Sequence, residues 1–460
     1  MKSKITKIVL TSVLGAAILY AYESWQAYQV RQSFEIGEIQ LSQTKIDIKS
    51  LQTSFKTPVW SVKTDSPLVC FSINFKNEGS RNFKNTPGLL DIVVSTLLEG
   101  AGEYDDIALK KLLKENSIGI AILPNQDNLQ VNVTCLAKYF DLTINVLCDI
   151  LSKAHLTQEK IETAKQGCIA SIRQAMFAPD HLALEKLGCL IYPEGHPYRM
   201  SFKDMLEKIP TYTREDVARC YSAIFSPQNA EVSIVSNLDE NDIKTGLNKV
   251  YKAVENRKND FKKVEEQQTE FSRSGKSEHV ELDNPQSTVV FALPVVQITL
   301  RQRFALRVAN EIFGEVGTLN SRLSRSIREQ GEMVYYIKTT FESGDMQSYI
   351  LGRCNTQSCK VEETMSQIKE EVKKLYENGI TQEELTKFKL SKFAKSIFTN
   401  SGVILEFVET ARRDEVPIEN VNSYLDNYSN LTLEEVNAVI KDVYNPERLV
   451  FVACGKSLKK

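Results

Sequence analysis

The alternation of apolar and polar positions divides the chain into short β-branched segments and longer amphipathic segments. Strands are predicted at 67–75 and 128–136, which are rich in Val, Ile and Leu. Helices are predicted at 137–153, 157–176 and 362–378, where apolar residues recur at helical spacing. Strand and helix segments mix in both halves of the 460 residues, so the pattern predicts an α+β fold.

Two blocks of sequence recur in the same order in the second half of the chain. "TREDVARCYSAIFSPQNAEVSIV" from Thr213 returns as "TLEEVNAVIKDVYNPERLVFVA" from Thr432, an offset of 219. Upstream, "LTQEKI" from Leu156 returns as "ITQEEL" from Ile380, an offset of 224. Each longer block reads as a helix capped by Thr, a Pro-containing turn and a strand. The repetition predicts two tandem homologous domains.

The charge pattern places the boundary between these domains. Residues 255–278 are dense in charge and lack an amphipathic stripe, which predicts a charged interdomain linker. The N-terminal domain is then expected at 35–254 and the C-terminal domain at 279–460.

The first 30 residues have the pattern of a targeting segment. Lys2, Lys4 and Lys7 precede an apolar run that is short for a membrane-spanning helix. Tyr20 and Tyr22 occupy the positions where small residues would mark cleavage. We therefore expect 1–30 to be a signal peptide or an uncleaved anchor, and the protein to be exported; an internal helix of the folded domain is the alternative.

Composition adds little about chemistry. A formal charge of −2 gives no reason to expect nucleic acid as a partner. Nine scattered cysteines do not form a disulfide framework. Cys354 and Cys359 form the one close pair, and a zinc site there would need two further ligands.

The segment "NTPGLLDIVVSTLLEGAG", residues 85–102, is predicted to form a helix whose polar face carries few polar side chains. Thr86 is predicted to cap it, Pro87 to take its first position and Gly100 to end it. Its polar residues recur every fourth position and should share one face: Asp91, Ser95 and Glu99.

Several ordered segments resemble the insulinase/pitrilysin family of zinc metallopeptidases, in the short form related to mitochondrial processing peptidase. They include "APDHLALEKLGCLIYPEGHPY" (178–198) and "SRLSRSIREQGEMVYYI" from Ser321. The resemblance covers nearly the whole chain after residue 30. It implies two metallopeptidase-roll domains, each a mixed, mostly antiparallel sheet packed with helices, arranged like a clam.

Active members of this family carry an inverted zinc motif, H-x-x-E-H, on the first helix. In the aligned segment Asp91 and Ser95 stand at the His positions and Val94 replaces the general base. A Glu on a later helix is the third ligand in the family, and Ser171 stands there. The four histidines include no pair one helical turn apart: His155, His181, His196 and His279. The chain is therefore expected to bind no metal or other cofactor, and His196 in "GHPY" is expected to be structural.

The second half retains part of the family signature. Arg328 and Tyr335 match the Arg and Tyr with which active members hold substrate and stabilise the tetrahedral intermediate. Tyr336 is expected on the opposite sheet face, because side chains alternate along a strand. The alternative is that Tyr335 is an ordinary strand aromatic and Arg328 a surface residue at a helix end.

These features lead to a functional prediction with one rival. The resemblance implies a non-metal-binding subunit of a heteromeric zinc peptidase, which supplies Arg328 and Tyr335 to a homologous H-x-x-E-H subunit that holds the zinc. Peptides would be its substrates, and the periplasm or the periplasmic face of the inner membrane its location. The rival is a non-catalytic peptide-binding or scaffold protein of the same fold.

Overall fold

The computed structural model describes residues 45–257, 271–315, 321–331, 333–395 and 400–456, and leaves aside the side chains of 330 and 392–395. The predicted signal segment (1–30) and most of the predicted linker (258–270) lie outside the described residues. The described residues belong to one compact unit.

The strands form two large sheets of similar order. Their bounds are β1 Asp47–Gln52, β2 Pro58–Lys63, β3 Leu68–Lys76, β4 Gly100–Ala101, β5 Tyr104–Asp105, β6 Gly119–Pro124, β7 Asn128–Leu136, β8 Ala230–Ser236, β9 Ser277–Glu281, β10 Gln286–Val295, β11 Val334–Ser343, β12 Ser348–Gln357 and β13 Val450–Gly455. The first sheet has the order β1-β2-β8-β3-β7-β6, and the second has the order β9-β13-β10-β12-β11. β4 and β5 pair as a small separate ribbon.

Helices cover the sheets and connect their strands. Their bounds are α1 Leu89–Thr96, α2 Asp106–Glu115, α3 Phe140–Ser152, α4 Gln158–Met176, α5 Pro179–Ile191, α6 Phe202–Lys208, α7 Arg214–Ala223, α8 Glu240–Ala253, α9 Leu300–Phe313, α10 Val361–Asn378, α11 Gln382–Lys395, α12 Ser401–Arg413, α13 Asp426–Ser429 and α14 Leu433–Val443. A π-helical segment spans Ser324–Gln330. The predicted α+β class is confirmed, and no helix within the described ranges is long and apolar enough to cross a membrane.

The topology of the two sheets confirms the duplication. In each sheet one pair of strands is parallel, β2 with β8 and β9 with β13, and the other pairs are antiparallel. The repeated blocks fold alike, because Thr213 and Thr432 each close a capping box at the start of α7 and α14. A capping box satisfies two backbone donors through residues only three apart, so it is readable from sequence.

Each half covers the sheet of the other half with one helix. α5, from the first half, packs on β10 and β13, where Leu187 and Leu190 share an apolar cluster with Val290 and Val452. α12, from the second half, packs on β3 and β8 of the first sheet. The halves are therefore repeats in sequence but are joined through shared cores.

A buried charge cluster also links the halves. Arg81, in the first half, pairs with Asp127 at 2.7 Å and with Asp345 of the second half at 3.0 Å. The Tyr198 hydroxyl donates a hydrogen bond to Asp127 and accepts one from the backbone N–H of Met346, 3.1 Å away. Tyr198 belongs to "GHPY", whose His196 stacks on a neighbouring tyrosine, so this turn is structural.

The described ends of the predicted linker contact both halves of the chain. The Arg257 guanidinium donates to the backbone carbonyls of Tyr221 and Leu151, the latter at 3.0 Å. After the gap, Phe271 is buried beside α5, and strand β9 begins at Ser277, inside the predicted 255–278 boundary.

Candidate functional site: the first-half helices and the second-half edge strand

The start of α1 differs from the prediction. The helix begins at Leu89 after Gly88, whose φ of +83° favours glycine. Thr86 does not cap α1, because its hydroxyl turns back to the Phe83 carbonyl, 3.3 Å away. Pro87 precedes the helix, and its carbonyl accepts a hydrogen bond from the Tyr212 hydroxyl at 3.0 Å. The turn at Gly88 and the hydrogen bond from Tyr212 thus position the start of α1.

The end of α1 is also earlier than predicted. The helix stops at Thr96, whose hydroxyl bonds to the Val93 carbonyl at 2.7 Å. Glu99 therefore lies beyond the helix, where it pairs with Lys110 at 2.8 Å. Gly100 belongs to strand β4 instead of ending the helix. The polar face of α1 is reduced to Asp91 and Ser95.

α1 packs against α4, the helix that carries the third degenerate position. The Ser95 hydroxyl and the Cys168 thiol lie 3.9 Å apart across this contact. Ser171 is exposed one turn further along α4, and Val94 packs at the margin of the first-half core. The fold thus brings together the helices that carry Asp91, Ser95 and Ser171, although none of the three is a family zinc ligand.

The electrostatics of this group disfavour metal binding. Surrounding protein desolvates the Asp91 carboxyl and raises its pKa. Burial, together with the Asp91 charge, raises the pKa of Cys220 to about 12. Burial also raises the pKa of Cys168. Because the thiolate is the metal ligand and the nucleophile, these thiols are unsuited to either task at neutral pH.

The histidines offer no substitute. The imidazoles of His155 and His279 each contact a backbone carbonyl, at 2.9 and 3.0 Å. Within the described ranges, no three His, Cys, Asp or Glu side chains converge as a metal site would require. The Cys354–Cys359 pair is also not a site, since Cys354 is buried, Cys359 is exposed and both are free thiols.

The second-half candidates lie at the edge of the second sheet. Arg328 is half-buried within the π-helical segment, which packs against β11. Tyr335 lies near the start of β11, the edge strand, and its side chain is 85% exposed. A tyrosine held for packing would be covered, so its exposure favours a surface role over the strand-aromatic alternative.

A β-bulge corrects the expectation for Tyr336. Val334 pairs with Thr356 and Ile337 pairs with Cys354, so β11 carries one extra residue between these pairs. Val334 and Ile337 consequently face the same core, and Tyr335 and Tyr336 both lie between them. The Tyr336 hydroxyl lies 3.5 Å from the Asn355 side-chain oxygen, on the face opposite that core. Simple alternation was therefore wrong here, because a bulge re-aims the side chains that follow it.

Two residues near these tyrosines were missed at the level of sequence. Lys338 on β11 lies directly opposite Arg353 on β12. Each looks like an ordinary charged strand residue along the chain, and only the register of the hairpin brings them together. The available signal was one basic residue in each strand, Lys338 in "YYIKTTFES" and Arg353 in "YILGRCNTQ".

Comparison with known proteins agrees with this geometry. Residues 211–391 match the family described as Peptidase M16 inactive domain. The non-peptidase homolog YmxG of Helicobacter pylori is 24% identical over 383 residues, which are 82% of this chain and 86% of that protein.

Solved structures show the same fold. The peptidase M16 inactive domain from Pseudomonas fluorescens superposes with a TM-score of 0.81 at 18% identity, covering 90% of this chain and 99% of that one. A protease from Helicobacter pylori gives 0.76 at 15% identity, with 90% and 100% covered. The periplasmic protease PqqL from Escherichia coli gives 0.72 at 14% identity, with 92% of this chain and 48% of that chain covered.

The matched family is described as inactive and the curated relative as a non-peptidase, which supports a chain that is not active alone. With the fold, the duplicated halves and the degenerate α1 face, these matches show that the chain is similar to insulinase-type (M16) peptidase homologues that are described as inactive.

Proposed function

We propose that this chain is the non-metal-binding subunit of a heteromeric, exported zinc peptidase. The observation that carries the proposal is the contrast between the halves. The α1 face presents Asp91 and Ser95 without a zinc ligand set, whereas the second half presents Tyr335 with 85% of its side chain exposed. A phenol exposed to that extent is available to a second protein.

In the proposed complex the partner supplies the zinc and the general base. Tyr335 would donate a hydrogen bond to the oxyanion that forms when water attacks the peptide carbonyl. Arg328 would hold the substrate or the same developing charge through the planar set of N–H donors of its guanidinium. Within the described residues, the Arg328 side chain has no hydrogen bond or ion pair, so its donors are not committed elsewhere.

The test is to reconstitute the chain with a homologous H-x-x-E-H subunit and assay peptide hydrolysis. Arg328→Ala and Tyr335→Phe should each lower kcat by roughly 100-fold, the usual cost of removing one oxyanion donor. Zinc content and assembly of the pair should stay unchanged. Arg325→Ala, at an exposed position of the same π-helical segment, is the matched control and should retain activity. Unchanged activity in both variants would refute the mechanism.

Export is part of the proposal and rests on the basic and apolar pattern of 1–30. Protease treatment of intact spheroplasts tests it. An exported chain should be degraded without lysis, and protection until lysis would contradict export.

A second function is favoured by the first sheet: a non-catalytic peptide-binding or scaffold protein. β6 is an edge strand beside α1, and its Leu123 is 50% exposed. An extended peptide can add to such an edge through backbone hydrogen bonds. The equivalent edge of β11 is partly occupied, because Thr339 pairs with Glu315. Peptide binding by the isolated chain, without any partner, would favour this alternative.

A further inference from the structure

Lys338 and Arg353 form a pair of like charges in neighbouring strands. They are Cα partners in the β11–β12 register, and both side chains are half-buried. Like charges directly opposite each other destabilise a sheet, and partial burial reduces the screening by water. Such a pair is stable when an anion lies between or above its members.

The register shows which face of the sheet carries this pair. Arg353 also pairs with Val290 of β10, which belongs to the apolar cluster under α5. Thr339, the neighbour of Lys338, is buried on the other face. α5 packs on β10 and β13, so the pair lies beside this helix, on the same face as Tyr336 and Asn355.

The nearby carboxylates of Asp180 and Glu342 form no ion pair with Lys338 or Arg353 in the described residues. Asp180 accepts a hydrogen bond from the Thr288 hydroxyl, and Glu342 accepts one from the Thr340 hydroxyl at 2.8 Å. Over the part of the chain that the structure describes, neither Lys338 nor Arg353 makes a side-chain hydrogen bond or an ion pair. Both cations are therefore without an ion-pair partner within the described fold.

The corresponding face of the first sheet is different. Gln130 and Asn132 of β7 are half-buried there, and Gln130 bonds to the Ser72 hydroxyl at 2.9 Å. These side chains are polar but neutral. At these positions of β7 the first sheet therefore lacks a counterpart of Arg353.

We propose that Lys338 and Arg353 form a carboxylate-binding subsite that selects acidic peptides, an inference that rests on the proposed peptide-handling function. The guanidinium and the ammonium together can hold one carboxylate, from an acidic side chain or from a peptide C-terminus. Tyr335 and Tyr336 flank the subsite through the bulge in β11. A peptide could then lie along this face with its carboxylate held beside the Tyr335 phenol.

The test measures fluorescence anisotropy of labelled, Ala-rich peptides with the full chain at low salt. One peptide carries Glu at alternate positions and the other carries Gln; each is made with a free and with an amidated C-terminus. The Glu peptide should bind roughly ten-fold more tightly, equivalent to about 1.4 kcal/mol, and added salt should reduce the difference. Tighter binding of the free than of the amidated Gln peptide would show that the subsite holds the C-terminal carboxylate.

The variant Lys338→Gln/Arg353→Gln should abolish the preference for Glu and keep the affinity for the Gln peptide. Lys369→Gln/Lys373→Gln removes two exposed charges from α10 and should keep the preference. Equal binding of all four peptides by the wild type, whether free or amidated, would overturn the subsite while leaving peptide binding intact. No binding of either peptide would overturn the subsite and the peptide-handling function together. Neither result bears on pairing with a zinc subunit, which the reconstitution assay tests.

Discussion

Ser95 and Cys168 face each other across α1 and α4, with Oγ and Sγ 3.9 Å apart. The two helices that carry the predicted zinc-site positions pack together, and a hydroxyl and a protonated thiol occupy the contact. The helix pair is thus present without zinc-ligating side chains. This relationship makes the loss of metal binding testable by restoring the ligands.

The triple variant Asp91→His/Ser95→His/Ser171→Glu should bind one zinc ion per chain. Residues 91 and 95 lie one helical turn apart on α1, and three ligands with a water complete a catalytic zinc site. Zinc content after dialysis is the measurement. The wild type should retain no stoichiometric zinc, and Asp91→His alone, with a single imidazole, serves as the control. Stoichiometric zinc in the wild type would contradict the degenerate-site account.

The buried cluster between the halves should contribute to stability. Tyr198→Phe removes the hydroxyl that bonds to Asp127 and to the Met346 N–H. Leaving those buried groups without this partner should lower the free energy of unfolding by about 1–3 kcal/mol. Urea unfolding measures the change. Tyr335→Phe removes the same atom from an exposed ring and should change stability by less than about 0.5 kcal/mol; equal effects of both variants would refute the role of the cluster.

Asp414 should make stability depend on pH. Burial raises its pKa, but hydrogen bonds from Arg307, at 2.8 Å, and Tyr424, at 2.6 Å, outweigh burial and lower the net pKa. A carboxyl with a lowered folded pKa stabilises the protein above its unfolded pKa of about 3.9 and loses that contribution as pH falls further. Asp414→Asn should therefore cost about 3 kcal/mol at pH 7, as expected for breaking a buried charge pair.

The difference between wild type and Asp414→Asn should shrink as pH drops below about 4. Urea unfolding at a series of pH values gives both curves. Asp239→Asn is the control, because its carboxylate is 86% exposed and pairs only at the surface. A penalty for Asp414→Asn that stays constant into acid would contradict the ionic role of this residue.

The two close cysteines should react differently with alkylating reagents. Cys359 is exposed, whereas Cys354 is fully buried and burial raises its pKa to about 12. Iodoacetamide followed by peptide mass spectrometry should find Cys359 modified in the folded protein and Cys354 modified only after unfolding. Recovery of a disulfide between them would contradict the structure.

Local signals in the sequence predicted much of the fold. Thr213 and Thr432 were readable as helix caps because a capping box needs only neighbours, and their spacing revealed the duplication. The start of α1 was predicted wrongly, because that prediction also used only neighbouring residues. Thr86 and Pro87 form a plausible start, but Gly88 adopts a left-handed conformation and lies so close to Ile209 that a Cβ there would clash.

Features that depend on pairing between distant segments could not be predicted. α5 and α12 each pack on the sheet of the other half, and this packing depends on tertiary contacts that neither amphipathic sequence specifies alone. The bulge at Tyr335 and Tyr336 depends on the register with β12, as does the juxtaposition of Lys338 and Arg353. The shared face of Asp91 and Ser95 was predictable, because residues four apart on a helix lie on the same side.

The most direct test of the central claim is to purify the tagged chain from its own cells and identify the proteins that accompany it. The account predicts recovery of a homologous chain with an intact H-x-x-E-H motif, in a one-to-one ratio, with zinc and peptidase activity in the complex. Recovery of the chain alone, or with unrelated proteins and no zinc, would contradict the split-peptidase function and leave the binding or scaffold function in its place.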